Sequence, residues 1–210
     1  MDNNLDDYIA SHIDAEPPML RQLYRHTHLT HLYPRMCSGH VQGRILTMLT
    51  RMIQPKRILE LGAFTGYSAL CFAEGMPDDA QFHTIEIDDE HADELRELFD
   101  SSPWGERMHL HIGDALQVVP TLDEQWDLVF IDANKRNYLD YYEQILPRVN
   151  HGGYIIADNT LWDSKVTHQP DSRDAQTIGI MAFNDHIATD PKVQKIILPL
   201  RDGMTIIRKI

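Results

Sequence analysis

Cysteine is scarce in this chain: Cys37 and Cys71 are the two thiols among 210 residues. Two thiols make no disulfide framework, so a reducing cytosol is the expected compartment. Long apolar runs are missing too. No stretch reaches the ~18 apolar residues of a membrane-spanning helix. The start, Met1-Asp2-Asn3-Asn4-Leu5-Asp6-Asp7, is acidic and lacks the apolar region of a signal peptide. Positive charge is in deficit, with 19 Lys and Arg against 32 Asp and Glu and a formal net charge of −13. That argues against nonspecific adhesion to nucleic acid or an anionic membrane, although a local basic patch is compatible with it. Internal repeats, low-complexity tracts and linkers are absent. So are the G-x-G-x-x-G of dinucleotide sites and the Gly-Lys-Ser/Thr of a phosphate loop. The length suits one domain, spanning 1–210, with a sizeable core.

What is present is an alternation of strands and helices. Runs 57–61, 81–87, 108–112, 127–132 and 154–158 are apolar and β-branched enough for buried parallel strands. Run 91–99 places Ala92, Leu95, Leu98 and Phe99 on one helical face, with Asp88 or Asp89 as N-cap. Run 138–149 does the same with Tyr138, Tyr141, Tyr142, Ile145 and Val149, behind Asn137. Strands joined by helices through short loops predict a doubly wound α/β sheet with right-handed crossovers. Runs 193–200 and 204–209, joined by Arg201-Asp202-Gly203, read as a closing antiparallel hairpin. Three further helices, over 5–14, 18–28 and 41–53, precede the first strand. The last has Val41, Ile45, Met48, Leu49 and Met52 on one face and Ser38 as its N-cap. Such additions, here residues 1–53, cap a ligand or shape a substrate site.

In open α/β sheets, ligands bind beyond the carboxyl ends of the strands. The first strand ends in Glu60-Leu61-Gly62, and Gly66 follows just before a helical run, 67–74. Glycine lets a backbone turn tightly and approach a ligand closely. An E-x-G-x-x-x-G loop without a phosphate signature suits a nucleotide-like ligand that carries no phosphate. S-adenosylmethionine (SAM) is the commonest of these. Glu86, 24 residues past Gly62, ends the second strand, where a carboxylate accepts ribose hydroxyls. Gly113-Asp114-Ala115 after the third strand fits an adenine position. Asp114 or the following amide reads the base, while Asp114 can also cap the next helix.

The fourth and fifth strands end in Asp132-Ala133-Asn134-Lys135 and Asp158-Asn159. One β-α-β unit separates them, so they should be neighbours. Two carboxylates and an amide oxygen are hard donors, suited to Mg²⁺ or Ca²⁺. Left alone, the two acids would repel; a divalent cation removes that problem. Lys135, one turn past Asp132, would lie beside the ion. A neighbouring cation lowers a lysine's pKa and lets it act as a base.

Four stretches together carry a resemblance: Leu59-Glu60-Leu61-Gly62-Ala63-Phe64-Thr65-Gly66-Tyr67-Ser68, Ile131 to Tyr138, Asp158-Asn159-Thr160-Leu161-Trp162, and Leu200 to Ile206. They resemble the cation-dependent class I O-methyltransferases, the family of caffeoyl-CoA and catechol O-methyltransferases and their bacterial relatives. The likeness extends over 30–210, and Asp-Asn-Thr-Leu-Trp after a strand is its most specific part. It implies a Rossmann-like, seven-stranded methyltransferase sheet, mostly parallel, with an antiparallel C-terminal hairpin strand. It implies SAM as methyl donor, held by Ser38, Glu60, Gly62, Ser68, Glu86, Asp114, Ala115 and Asp132. Ser38 and Ser68 match positions at the methionine end. It implies a cation on Asp132, Asp158 and Asn159 that chelates two vicinal oxygens of the acceptor, with Lys135 as base and Asp132 beside it in the catalytic set.

The chain also departs from that pattern. His40 stands where relatives often carry an acid. The Tyr- and Arg-rich segment by which plant enzymes hold a CoA substrate is replaced by Asp174-Ala175-Gln176-Thr177-Ile178-Gly179. Arg173 remains a candidate for an acidic acceptor. Asn134 replaces the tryptophan that animal catechol enzymes stack on their acceptor, which leaves Trp162 for stacking. The expected activity is methylation of a small vicinal dihydroxy aromatic, by a cytoplasmic homodimer. Its rivals are methylation of a hydroxylated tRNA base and SAM binding without catalysis. Outside these motifs, His26, His28 and His31 form a small cluster that could bind zinc, although no cysteine or acid stands at ligand spacing. His109 and His111 share a strand face and read as packing residues, and Cys71 reads as core.

Overall fold

Ile58, Leu59, Leu61, Leu128, Val129, Phe130 and Ile131 have no exposed surface, so the two central strands are covered on both faces. The computed structural model describes residues 3–210; Met1 and Asp2, part of the acidic start, lie outside them. Helices α1 (Asn3–His12), α2 (Pro18–Thr30) and α3 (Gly39–Ile53) lead into β1 (Arg57–Leu61). Then follow α4 (Tyr67–Gly75), β2 (Gln81–Glu86), α5 (Ala92–Asp100), β3 (Met108–Ile112), α6 (Ala115–Val118) and β4 (Trp126–Ile131). The chain closes with α7 (Tyr138–Ile145), β5 (Val149–Asp158), α8 (Ala175–Thr189), β6 (Val193–Leu198) and β7 (Met204–Lys209).

The seven strands lie in the order β3-β2-β1-β4-β5-β7-β6. All pairs are parallel except those of β7, which runs antiparallel between β5 and β6. Side chains alternate across the pleat. Ile58, Leu128 and Phe130 join Leu46 and Phe72 in one core, and Leu59, Val129 and Ile131 join Tyr138, Ile145 and Phe183 in the other. The order reverses between β1 and β4, which opens a crevice beyond their carboxyl ends. Among the described residues no helix is long and apolar enough to cross a membrane.

Three local expectations are corrected. The seventh helix stops at Ile145, because Pro147 has no N–H to continue it, and Val149 instead opens a fifth strand that starts five residues earlier than 154. Ser38 has helical φ and ψ and makes no side-chain cap bond. The apolar stripe of α3 is only half covered: Ile45 and Leu49 pack partly buried against the core, Met48 and Met52 are 50% and 72% exposed, and the fully buried positions are Gln42, Gly43, Leu46, Thr47 and Thr50. Small residues decide this face, because they let α3 and α4 touch. A Cβ on Gly43 would lie 2.8 Å from Cys71 Sγ, and one on Gly75 would lie 2.6 Å from the Thr47 carbonyl. The Thr47 hydroxyl donates to the Cys71 carbonyl at 2.9 Å. On the far edge, His109 and His111 pack against His83, whose pKa burial pushes down to about 4.

Candidate active site

A cavity of about 840 Å³ opens at the carboxyl ends of β1, β2, β4 and β5. Gly62, at φ +94°, forms one wall, and a Cβ there would lie 2.3 Å from the Asp132 carbonyl oxygen. Only glycine lets the end of β1 pass the end of β4 so closely. Glu86 shapes the loop from β2. Its Oε2 accepts from the amides of Ala63 (3.0 Å) and Phe64 (2.7 Å), and its Oε1 accepts from that of Asp88 (3.0 Å). Glu86, Gly113 and Ala115 line the cavity. Asp114 does not; its carboxylate caps α6 by accepting from the Leu116 amide at 2.9 Å.

Glu60 lies beneath the wall, fully buried. Its Oε2 accepts from Thr84 Oγ1 at 2.6 Å, and its Oε1 has no hydrogen-bond partner among the described residues. Burial pushes its carboxyl up to about 8; the Ser68 and Thr84 hydroxyls pull it back, and the charges of Asp132 and Glu86 add to the rise. Burial therefore favours the protonated form of Glu60. Ser68 and Ser38 both reach the cavity.

The opposite wall is acidic. Lys135 is buried and donates from Nζ to Asp132 Oδ1 at 2.5 Å, with the ammonium 5.1 Å from the centre of the Tyr138 ring. Asp158 is 4% exposed. Its Oδ2 accepts from Gln42 Nε2 at 2.6 Å and its Oδ1 from the Asn159 amide at 2.8 Å. Burial first, then the charge of Asp132, push its carboxyl up to about 6, against the pull of Gln42, Lys135 and the Asn159 amide. Asp132, Lys135, Asp158 and Asn159 share the cavity wall. Two carboxylates and an amide oxygen fit a hard divalent cation. Burial is the main cause of the raised proton affinity of Asp158, and the Asp132 charge adds to it.

Sequence reasoning missed the residues that hold this wall together. Gln42 is buried on α3 and accepts from Arg201 Nη1 through its Oε1 at 2.6 Å, so Arg201, Gln42 and Asp158 form one relay. The Tyr138 hydroxyl bridges the carbonyls of Ile131 (3.1 Å) and Asp158 (3.0 Å), pinning the ends of β4 and β5 together. The available signal was a glutamine among core-facing positions of a helix, and it is weak.

Asn159, Trp162, Asp163 and Ser164 all have positive φ, at 57°, 47°, 53° and 61°. Such a loop persists only when its surroundings over-determine it. The turn before β7 supplies that support: Asp202 O accepts from the amides of Leu161 (2.7 Å) and Trp162 (3.2 Å), and Gly203 O from that of Thr160 (3.1 Å). A Cβ on Gly203 would lie 2.4 Å from Leu161 Cγ, so the glycine is needed for the clamp. Trp162 lines the cavity. Arg173 lies outside the wall, exposed, and pairs with Asp171 at 3.2 Å.

A sheet of this order with a crevice at its β1/β4 switch, lined by an acidic strand end and a glycine loop, defines a Rossmann-like methyltransferase. Comparison with known proteins narrows this. Residues 10–210 match the family model described as O-methyltransferase. Caffeoyl-CoA O-methyltransferase 5 of Nicotiana tabacum is 31% identical over 206 residues, covering 93% of this chain and 85% of that protein. The crystal structure of the O-methyltransferase TomG from Streptomyces achromogenes, in complex with SAM, is 29% identical with a TM-score of 0.89, covering 98% of this chain and 96% of that one. The Bacillus cereus O-methyltransferase in complex with SAH is 27% identical with a TM-score of 0.91, covering 99% and 97%. The chain belongs to the O-methyltransferase family, and it is an enzyme of that class.

Proposed function

We propose that this O-methyltransferase moves the methyl group of SAM to one hydroxyl of a small vicinal dihydroxy aromatic, with a divalent cation held by Asp132, Asp158 and Asn159. The observation that carries the reading is the shared cavity. Gly62 and Glu86 face it from one side, and Asp132, Lys135, Asp158 and Asn159 from the other.

The donor's methyl sits on a sulfonium, a good leaving group, so in-line displacement needs a nucleophile held close. Glu86 takes the ribose hydroxyls, Gly113 and Ala115 face the base, and Ser38 and Ser68 meet the methionine end. Glu60 supports Ser68 from below, and Asp114 acts by capping α6. Lys135 Nζ donates to Asp132. Displaced from that ion pair when a cation takes over the Asp132 charge, and once it has given up a proton to solvent, the lysine would be placed to receive the acceptor's proton. A cation bound at this wall would lower a phenol's pKa from ~10 and orient its two oxygens. Trp162 offers a stacking face, and the exposed Leu32, Tyr33 and Met36 form an apolar rim for an aromatic ring. Arg173, outside the wall, has no part in this assignment.

The segment joining α2 to α3 supplies that rim and Ser38, which supports the role of residues 1–53 as a cap on one domain spanning 1–210. Cys37 and Cys71 are both free thiols, which supports a cytosolic setting. The exposed Met48 and Met52 support a homodimer, and sedimentation measures it.

The test supplies labelled SAM with catechol, caffeoyl esters or bulk tRNA, each with Mg²⁺ or EDTA. Label should pass to catechol, and only with Mg²⁺. Transfer to tRNA alone, or transfer to catechol undiminished by EDTA, would overturn the reading.

A further inference from the structure

The histidine cluster read from the sequence divides in the fold. His28 turns away: its Nδ1 lies 2.9 Å from the Tyr24 carbonyl, and its ring packs on that of Tyr24 at 4.1 Å. His26, on α2, and His31, at the end of α2, instead meet an acid from α5. His26 Nε2 lies 3.2 Å from Glu94 Oε1, and His31 Nε2 lies 3.3 Å from Glu94 Oε2. One ligand atom from each residue fits within a 4.8 Å span. The missing acid was out of sight in the sequence because it arrives from 63 residues beyond His31.

Three features point to an ion at this place. The first is spacing. Zn²⁺ binds imidazole nitrogen and carboxylate oxygen at about 2.0–2.2 Å, and a tetrahedral shell then holds neighbouring donors roughly 3.3 Å apart. Each histidine nitrogen lies at that distance from one oxygen of Glu94, His26 from Oε1 and His31 from Oε2, so an ion between them would draw on both carboxylate oxygens or on one after a small rotation. The second is satisfaction. Glu94 Oε1 is buried, and although His26 Nε2 comes within 3.2 Å of it, the approach lacks hydrogen-bond geometry, so the oxygen makes no hydrogen bond among the described residues. A cation seated between the donors removes that deficit. The third is donor type. Two imidazoles and one carboxylate suit Zn²⁺ and related transition ions rather than Mg²⁺ or Ca²⁺.

We propose that His26, His31 and Glu94 form a Zn²⁺ site, separate from the acidic wall, with its fourth position open to solvent on the exposed side of His26. The ion ties α2 to α5 at the rim of the cofactor cavity. The His31 ring lies 5.4 Å from that of Phe64 in the glycine loop and 5.3 Å from that of His91, and both of those residues line the cavity. His91 itself leans toward Asp88, with Nε2 3.8 Å from Oδ2, and is not needed as a ligand.

The experiment uses the chelator-stripped full chain and calorimetric titration with Zn²⁺ in excess Mg²⁺, which occupies hard-donor sites. X-ray absorption on the zinc-loaded protein reads its ligands. One Zn²⁺ should bind, with the scattering signature of two imidazoles. His26→Ala and Glu94→Gln should each weaken binding by more than about tenfold. Asp158→Ala and His28→Ala should leave it unchanged. His26 is exposed, so its substitution spares the fold, and circular dichroism checks this. Wild-type affinity in His26→Ala and Glu94→Gln, loss of the site in Asp158→Ala or His28→Ala, or a spectrum without imidazole would each overturn the proposal.

Discussion

Lys135 Nζ is fixed 2.5 Å from Asp132 Oδ1 and buried against Tyr138, so it cannot swing freely to a second task. If it receives the acceptor's proton, Lys135→Ala should lower kcat by about 10² to 10⁴-fold. The loss should shrink at alkaline pH, where the acceptor ionises unaided, and should be smaller for a nitrocatechol than for catechol. Equal losses at every pH and for both acceptors would make Lys135 a positioning residue. Glu60 yields a different prediction. Its buried carboxyl is raised to about 8, above the ~4.3 of an unfolded glutamate. A raised acid stabilises the fold only below the unfolded value, and that stability is lost as pH rises through about 8. Glu60→Gln, neutral throughout, should gain over wild type between pH ~4 and ~8 and level off above. Thermal melts of the metal-free proteins across that range check it; parallel curves would mean that Glu60 is not the protonated group.

The contact between α3 and α4 shows what a hydrophobicity pattern conceals. Met48 and Met52 look like a core face, yet Gly43, Thr47 and Thr50 are buried because the two helices touch through Gly43 and Gly75. A methyl on Gly75 would meet the Thr47 carbonyl, which is backbone and cannot turn aside. Gly75→Ala should therefore destabilise by about 1–3 kcal/mol, read from urea midpoints, although alanine is the better helix former. An unchanged midpoint would mean that the helices are free to part. The central strands were legible for the opposite reason: burial on both faces leaves an uninterrupted apolar run, as in Leu128 to Ile131. The strand-end motifs were legible because consecutive residues carry them. Gln42, Arg201 and Glu94 were not, because each meets its partner across more than sixty residues and belongs to no local pattern. The Arg201-Asp202-Gly203 turn was read as a hairpin signal and as part of the family resemblance, with no tertiary contact assigned to it. Its carbonyls also clamp the loop that carries Asn159 and Trp162, a tertiary task that spacing cannot express.

Taken as a whole, the molecule divides its site along the β1/β4 switch. Apart from Ser38 and Ser68, the proposed donor-binding groups lie at the ends of β1, β2 and β3, and the proposed cation donors at the ends of β4 and β5, with Asp132 alone belonging to both sets. Gly62 and Glu86 are set by backbone contacts with Asp132, Ala63 and Phe64 that involve no cation. Lys135 also compensates Asp132 in the absence of an ion. Removing divalent metal should therefore leave SAM affinity within a few-fold while abolishing methyl transfer. Calorimetric titration of SAM with and without EDTA measures the first, and labelled transfer to catechol measures the second. Restoring Mg²⁺ alone should recover turnover, and this separates the acidic wall from the rim histidines, whose imidazoles bind Mg²⁺ poorly. A fall in SAM affinity by orders of magnitude in EDTA would mean that the two halves of the site are one, with the cation organising the glycine loop through Asp132.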